Sequence, residues 1–203
     1  MTTRPKLTYF DMPVSRGEEC RLAFAIAGAD FEDNRIPREA WSTLKPTTPF
    51  GALPTLEVPG YPVIAQSNAI LAYIGRRYGV HPTDLVEAAR HDAVMAHVED
   101  LRATVAWAGR NADEATKQRA REHLAATTIP AWASSVEAQI GDGPFYAGER
   151  PMVVDVKIYM GMRSFRRGVM DHIPTTVFDA FPKLIRLYDA VEAWAPVKAW
   201  ISR

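Results

Sequence analysis

A single cysteine, Cys20, among 203 residues excludes an internal disulfide framework and fits a reducing compartment. Charge of one sign is also missing, since 24 Lys and Arg stand against 24 Asp and Glu. No excess field therefore points to nucleic acid or to a membrane surface as a partner. No apolar run approaches the length of a membrane-spanning helix, and Met1 to Thr8 holds no apolar segment of signal-peptide length. The expectation is a cytoplasmic protein. A Gly-rich phosphate loop, a GxSxG nucleophile elbow and internal repeats are absent as well. His91 and His97 are six apart, on different faces of a helix, and no second ligand set with metal spacing accompanies them. No metal is expected. The cluster Arg163, Arg166, Arg167 reads as a solvated helix face.

Hydrophobic residues make up 47% and charged residues 24% of the chain, an ordinary globular balance with enough length for a sizeable apolar core. The first eighty residues alternate short β-like runs with helical ones: Leu7 to Phe10, a helix from about Gly17 to Ala27, Phe31 to Ile36, and a helix around Glu39 to Lys45. Two strands and a helix through Tyr78 follow. After Gly79-Val80-His81-Pro82 the β signals stop, and helices alternate with turns to the end. The order predicts an α/β domain over residues 1–80, similar to a thioredoxin-like one, and an all-helical domain over 85–203. Val154, Ile158 and Met162 at four-residue spacing place the helix near Asp155 to Arg167 in the core of the second domain.

The most informative segment is Gly51-Ala52-Leu53-Pro54-Thr55-Leu56, followed twelve residues after its proline by Gln66-Ser67-Asn68. A proline keeps its predecessor extended, so Leu53 offers its backbone as an open edge to which an extended ligand can pair. Ile70, Leu71, Ile74 and Tyr78 recur at helical spacing behind Ser67, which makes Ser67 the expected N-cap. The first N–H groups of that helix carry the positive end of its dipole and can hold a carboxylate, with the Gln66 amide beside them. Tyr9 falls near the end of the first strand, where a packing role and a hydroxyl facing a cleft are both open on pattern alone. Trp41 and Lys45, four apart, share a helix face and can reach one ligand.

The combination of an early strand tyrosine, the Leu-Pro turn and the Gln-Ser helix start resembles the cytosolic glutathione transferases over essentially the whole chain. Lys6-Leu7-Thr8-Tyr9-Phe10 resembles the first strand of the tyrosine-type classes and Trp41-Ser42-Thr43-Leu44-Lys45 the sigma-class segment, whereas Phe50-Gly51-Ala52-Leu53-Pro54, Gln66 to Leu71 and Val98 to Arg102 look closer to pi. The resemblance implies attack by the glutathione thiolate on a hydrophobic electrophile, with Tyr9 as a hydrogen-bond donor to the sulfur and Arg16 beside it. Trp41 and Lys45 would meet the glycyl end of glutathione, Leu53 its cysteinyl backbone, and Gln66 with Ser67 its γ-glutamyl end. Pro54 would be the family's cis-proline. Asp100 would reach the glutamyl amine across a homodimer interface, and Phe50 would insert into the partner subunit. Phe10, Met12, Pro13 and Trp107 would line the site of the hydrophobic substrate.

Three departures stand against the pattern. The segment Asp11 to Arg16 is one residue longer than in sigma or pi proteins, Ala52 replaces a glutamine of the pi type, and Met152 stands where the capping box that ends in Asp155 expects Ser or Thr. The last predicts a loss of about 1 kcal/mol, because Met152 is not expected to accept a backbone hydrogen bond. Ser15 is weighed beside Tyr9, since other classes activate the thiol with a serine in this loop. Cys20, among Leu22, Phe24 and Ile26, reads as buried and inert. The alternatives to a conjugating enzyme are a glutathione-dependent isomerase of the sigma-type prostaglandin D synthase kind, and a crystallin-like or ligand-binding relative without turnover.

Overall fold

The computed structural model describes Arg4 to Arg203, which divide into two compact units. One runs to Asp92 and takes in Trp194–Arg203; the other is Ala93–Ala193.

The first unit is built on four strands, β1 (Lys6–Phe10), β2 (Glu32–Ile36), β3 (Thr55–Glu57) and β4 (Ile64–Ala65), in the order β2-β1-β3-β4. β2 runs parallel to β1, β3 antiparallel to β1, and β4 antiparallel to β3. The parallel pair needs a crossover, which helix α1 (Ser15–Ala27) supplies. It begins two residues earlier than its apolar pattern and buries Cys20, Leu22, Ala23 and Phe24. Gly28, left-handed at φ 60°, ends it, a conformation that costs a residue with a Cβ more than it costs glycine.

The helix expected from Glu39 to Lys45 is broken: a 3-10 turn at Arg38–Ala40, the four-residue α2 (Trp41–Leu44), and a second 3-10 turn at Lys45–Thr47, where Pro46 withholds a donor. Helix α3 (Ser67–Tyr78) buries Ile70, Leu71 and Ile74. The short α9 (Ala195–Ile201) packs on α1: Phe31 stacks on Phe24 at 4.3 Å and meets the Trp200 ring at 5.8 Å.

Two histidines are buried, His81 in the connection from α3 to α4 (Leu85–Trp107) and His91 within α4. His81 Nε2 lies 3.0 Å from Asp92 Oδ1, Arg76 donates to Asp92 Oδ2 at 2.8 Å, and the His91 ring sits 5.9 Å from that of His81. Burial, and then the charge of His81, hold His91 down to about 4 from an ordinary 6.5; Arg90 adds to this, while Glu87 and Asp92 oppose it. A base whose folded value is depressed favours folding while neutral. Its contribution is complete above pH 6.5 and is lost as pH falls toward 4. We expect urea unfolding to show a loss on the order of 2 kcal/mol across that window, and His91→Gln to flatten the profile.

The second unit contains the rest of α4, α5 (Glu114–His123), a π-helical turn at Leu124–Thr128, α6 (Ile129–Glu137), α7 (Val153–Arg166) and α8 (Pro182–Ala193). α7 forms the core as its spacing predicts, with Val154, Ile158 and Met162 fully buried. Two expectations are corrected here. Arg163 is buried at 6% exposure, because every turn of α7 is covered; only Arg166 and Arg167 are left at the rim, paired with Asp189 and Glu192. The start of α7 also differs from expectation. Asp155 accepts the N–H of Met152 at 2.8 Å and of Tyr146 at 2.7 Å. The Met152 thioether stands in the serine's place toward the Asp155 N–H, which the Met152 carbonyl also accepts at 3.0 Å. A weak sulfur acceptor plus a carbonyl thus replaces the hydroxyl.

Candidate functional site

Pairing of β1 with β3 ends at Thr8 and Thr55, and that of β3 with β4 at Thr55 and Ala65. Continuing both registers by one residue puts Tyr9, Pro54 and Gln66 in a single row across three strands. At the usual spacing of neighbouring strands this row spans about 10 Å. Leu53 lies two residues past the last pair, beyond the ladder, and the Leu53–Pro54 peptide is cis. Parallel β2 leaves the sheet at the same end and delivers Trp41, whose ring meets Phe10 edge-on at 5.9 Å. The Arg38 guanidinium lies 5.6 Å from the Phe10 ring on the way. Lys45 runs along the left-handed turn at Gly51, where an added Cβ would stand 3.4 Å from its Cε. Tyr9, Phe10, Trp41, Lys45, Leu53, Pro54 and Gln66 are thereby brought to one edge of the sheet.

The helix starts there are strained. Gln66 has φ 72° and ψ 117°, a region rarely visited by residues other than glycine, and Ser15 at the head of α1 has φ 60°. Such strain persists only where surroundings hold it, and it concentrates at functional positions. The cap assignment is corrected by this geometry. Gln66, not Ser67, is the N-cap of α3: its carbonyl accepts the Ile70 N–H at 3.0 Å, so the first turn closes one residue earlier than the apolar pattern suggests. Ser67 is the first helical residue, 4% exposed. The opening amides of α3 still point toward the row, with the positive end of the dipole behind them.

Tyr9 is 7% exposed. Its ring rests on Gly17 of α1 so closely that a Cβ there would overlap ring atoms Cγ and Cδ1, and Phe10 meets it edge-on at 5.5 Å. Because the overlapped atoms lie at the root of the side chain, rotation cannot relieve the clash. We expect Gly17→Ala to cost about 2 kcal/mol in urea unfolding and to displace the Tyr9 ring, readable as a changed near-ultraviolet circular dichroism signal. Unchanged stability would mean that the ring does not rest there.

The loop from Asp11 to Val14 is held by α1. Arg21, fully buried, donates from Nη2 to the Phe10 carbonyl at 3.2 Å and from Nη1 to the Met12 carbonyl at 2.9 Å. Pro13 is exposed, Met12 half-buried, and Arg16 half-buried in the first turn of α1. Sequence reasoning missed Gly17 and Arg21. The signal for Arg21 was available: it is a lone charge within the apolar stretch from Cys20 to Phe24.

Two further candidates lie in the helical unit. Asp100 on α4 has a side chain 79% exposed, 3.8 Å from His97 Nδ1. Trp107, the last residue of α4, is 69% exposed, with the Arg110 guanidinium 4.6 Å from its ring.

Residues 5–76 match the family model described as glutathione S-transferase, N-terminal domain, and residues 99–203 the model of the corresponding C-terminal domain. A hematopoietic prostaglandin D synthase of Gallus gallus is 33% identical over 198 residues, covering 98% of this chain and 95% of its own length. Among solved structures, the prostaglandin synthase D of Nilaparvata lugens superposes with a TM-score of 0.84 at 30% identity, covering 98% of both chains. The glutathione S-transferase of Ascaris lumbricoides does so at 0.84 and 32%, covering 98% of this chain and 96% of its own.

Proposed function

Because the chain belongs to the glutathione S-transferase family, we propose that it is a tyrosine-type member, sigma- or pi-like, in which Tyr9 holds the glutathione sulfur as its thiolate. The row of Tyr9, Pro54 and Gln66 carries this reading. The order of segments along the sheet edge matches an extended tripeptide. Trp41 and Lys45, beyond β2, take the glycyl carboxylate. Leu53, past the end of β3, pairs with the cysteinyl backbone. Gln66 and the opening amides of α3, beyond β4, take the γ-glutamyl carboxylate.

A free thiol with a pKa of about 8.5 is mostly protonated near neutrality. A phenol, with a reference value of about 10, is too weak a base to remove the proton but donates well to the charged sulfur. Donation to the charged form lowers the thiol's pKa. Arg16 adds positive charge in the same loop. The thiolate then attacks an electrophilic carbon held against Phe10, Met12 and Pro13, forming the carbon–sulfur bond as the leaving group departs with its electron pair, with no metal taking part. The reading includes a thioredoxin-like domain over 1–80 and a helical domain over 85–203 in a cytoplasmic homodimer, with Asp100 and Phe50 serving the partner. The exposure of Asp100 and of Phe50, at 67%, supports their place at a dimer face. No helix among the described residues is long and apolar enough to cross a membrane.

A second reading, a glutathione-dependent isomerase, is favoured by the prostaglandin synthases among the relatives. In that reaction glutathione returns unchanged. Following the thiolate absorbance of bound glutathione through a pH titration tests the shared premise, and parallel assays separate the two. Appearance of the dinitrophenyl thioether absorbance from chlorodinitrobenzene, with chloride released, marks conjugation. Rearrangement of a prostaglandin endoperoxide with glutathione conserved marks isomerisation. A wild-type protein that binds no glutathione would sink both.

A further inference from the structure

We propose that Arg21 is a positioning residue of this reaction, fixing the segment Phe10 to Met12 and through it the place of Tyr9 beside the glutathione sulfur. This rests on the assignment of Tyr9 made above.

A fully buried guanidinium is costly to desolvate, and in a helix whose next three residues, Leu22, Ala23 and Phe24, are also fully buried an apolar residue would pack without that cost. Arg21 uses its whole fork. Nε donates to Asp33 Oδ1 on β2 at 2.9 Å, Nη1 to the Met12 carbonyl at 2.9 Å and to Glu18 Oε2 at 3.3 Å, and Nη2 to the Phe10 carbonyl at 3.2 Å. The two carbonyls flank Asp11, where the chain leaves β1 for the elongated loop. Asp11 itself is tied by its N–H to the Ile36 carbonyl at 3.0 Å and by its carboxylate to Arg35 at 3.1 Å. The loop next enters the strained residue Ser15 at φ 60°. Without a clamp on its carbonyls such a segment relaxes, and Tyr9, one residue upstream, moves with it. The guanidinium lies 5.8 Å from the Tyr9 ring centroid.

The clamp is closed from outside by α9. Trp200 Nε1 donates to Glu18 Oε1 at 3.0 Å, leaving Glu18 Oε2 for Arg21. A lysine, with one compact ammonium, cannot span both carbonyls and Asp33 at once. Trp200→Phe removes the indole N–H, together with part of the ring that meets Phe31, and so loosens Glu18 and, through it, Arg21.

The test uses the full chain with Arg21→Lys and Trp200→Phe, reading the thiol pKa of bound glutathione together with kcat and KM for conjugation. Arg21→Lys is expected to return the thiol toward its free value and to lower kcat near neutral pH about tenfold or more. KM for glutathione should stay within about threefold, because the peptide contacts lie on other segments. Trp200→Phe should move both readouts in the same direction by about threefold. A folded Arg21→Lys with wild-type thiol pKa and kcat overturns the proposal. If Arg21→Lys does not fold, Trp200→Phe decides: a raised thiol pKa supports the clamp and an unchanged one overturns it. Absence of glutathione binding in the wild type removes the transferase mechanism itself, a result distinct from any difference between variants.

Discussion

Replacing Tyr9 by phenylalanine is expected to lower kcat for conjugation about 100-fold at pH 6.5 while leaving KM for glutathione nearly unchanged. Phenylalanine keeps the ring that rests on Gly17 and meets Phe10, so packing survives and only the hydroxyl donor is lost. Without that donor the bound thiol titrates near its free value and the thiolate fraction falls. The sign of the pH dependence follows. Wild type and variant should differ most at low pH, where only a stabilised thiolate exists, and converge above about pH 9, where any thiol is ionised. Ser15→Ala is the discriminating control, because Ser15 begins α1 in the same loop; its expected loss of kcat is below about threefold. A Tyr9→Phe enzyme with full activity, beside an inactive Ser15→Ala, would transfer the mechanism to the serine.

The largest stability effect is expected at Asp155, where alanine should cost about 3 kcal/mol in equilibrium unfolding. The side chain is 1% exposed and accepts two backbone N–H groups, those of Met152 and Tyr146, one on each oxygen. Alanine leaves both donors buried without a partner, and each orphaned donor costs on the order of 1–3 kcal/mol. Asparagine retains one acceptor and should lose about half as much. Below denaturing conditions glutathione affinity is expected to persist, since the residues assigned to glutathione on the sheet edge belong to the other unit. A loss below about 1 kcal/mol for alanine would show that the two N–H groups find replacement acceptors.

Much of this architecture is legible in the residues. Proline and glycine mark the turn before β3, apolar spacing marks α3 and α7, and the row of Tyr9, Pro54 and Gln66 follows once three strands are placed. What escapes the sequence depends on long-range contact or on the backbone's local choice. Gln66 takes the cap of α3 because its own backbone adopts a positive φ, which no side-chain preference announces. Trp41 and Lys45 are read as one helix face, but Pro46 divides that segment into shorter turns. Arg163 looks solvated by composition and is buried because α7 is covered all round. Gly17 and Arg21 act on Tyr9 and its loop through contacts between helix and strand that spacing alone does not reveal.

The bond from Trp200 to Glu18 joins residues 182 positions apart inside one compact unit. During synthesis from the N-terminus, the sheet and α1 emerge long before α9, and the ribosome must pass the whole helical unit before the Trp200 indole can reach Glu18. The unit that carries the sheet edge therefore reaches its final form late in translation, after its later-encoded neighbour is already free to fold. A ribosome stalled before Trp194 would display every glutathione-facing residue assigned here while still lacking the last support of the segment beside Tyr9.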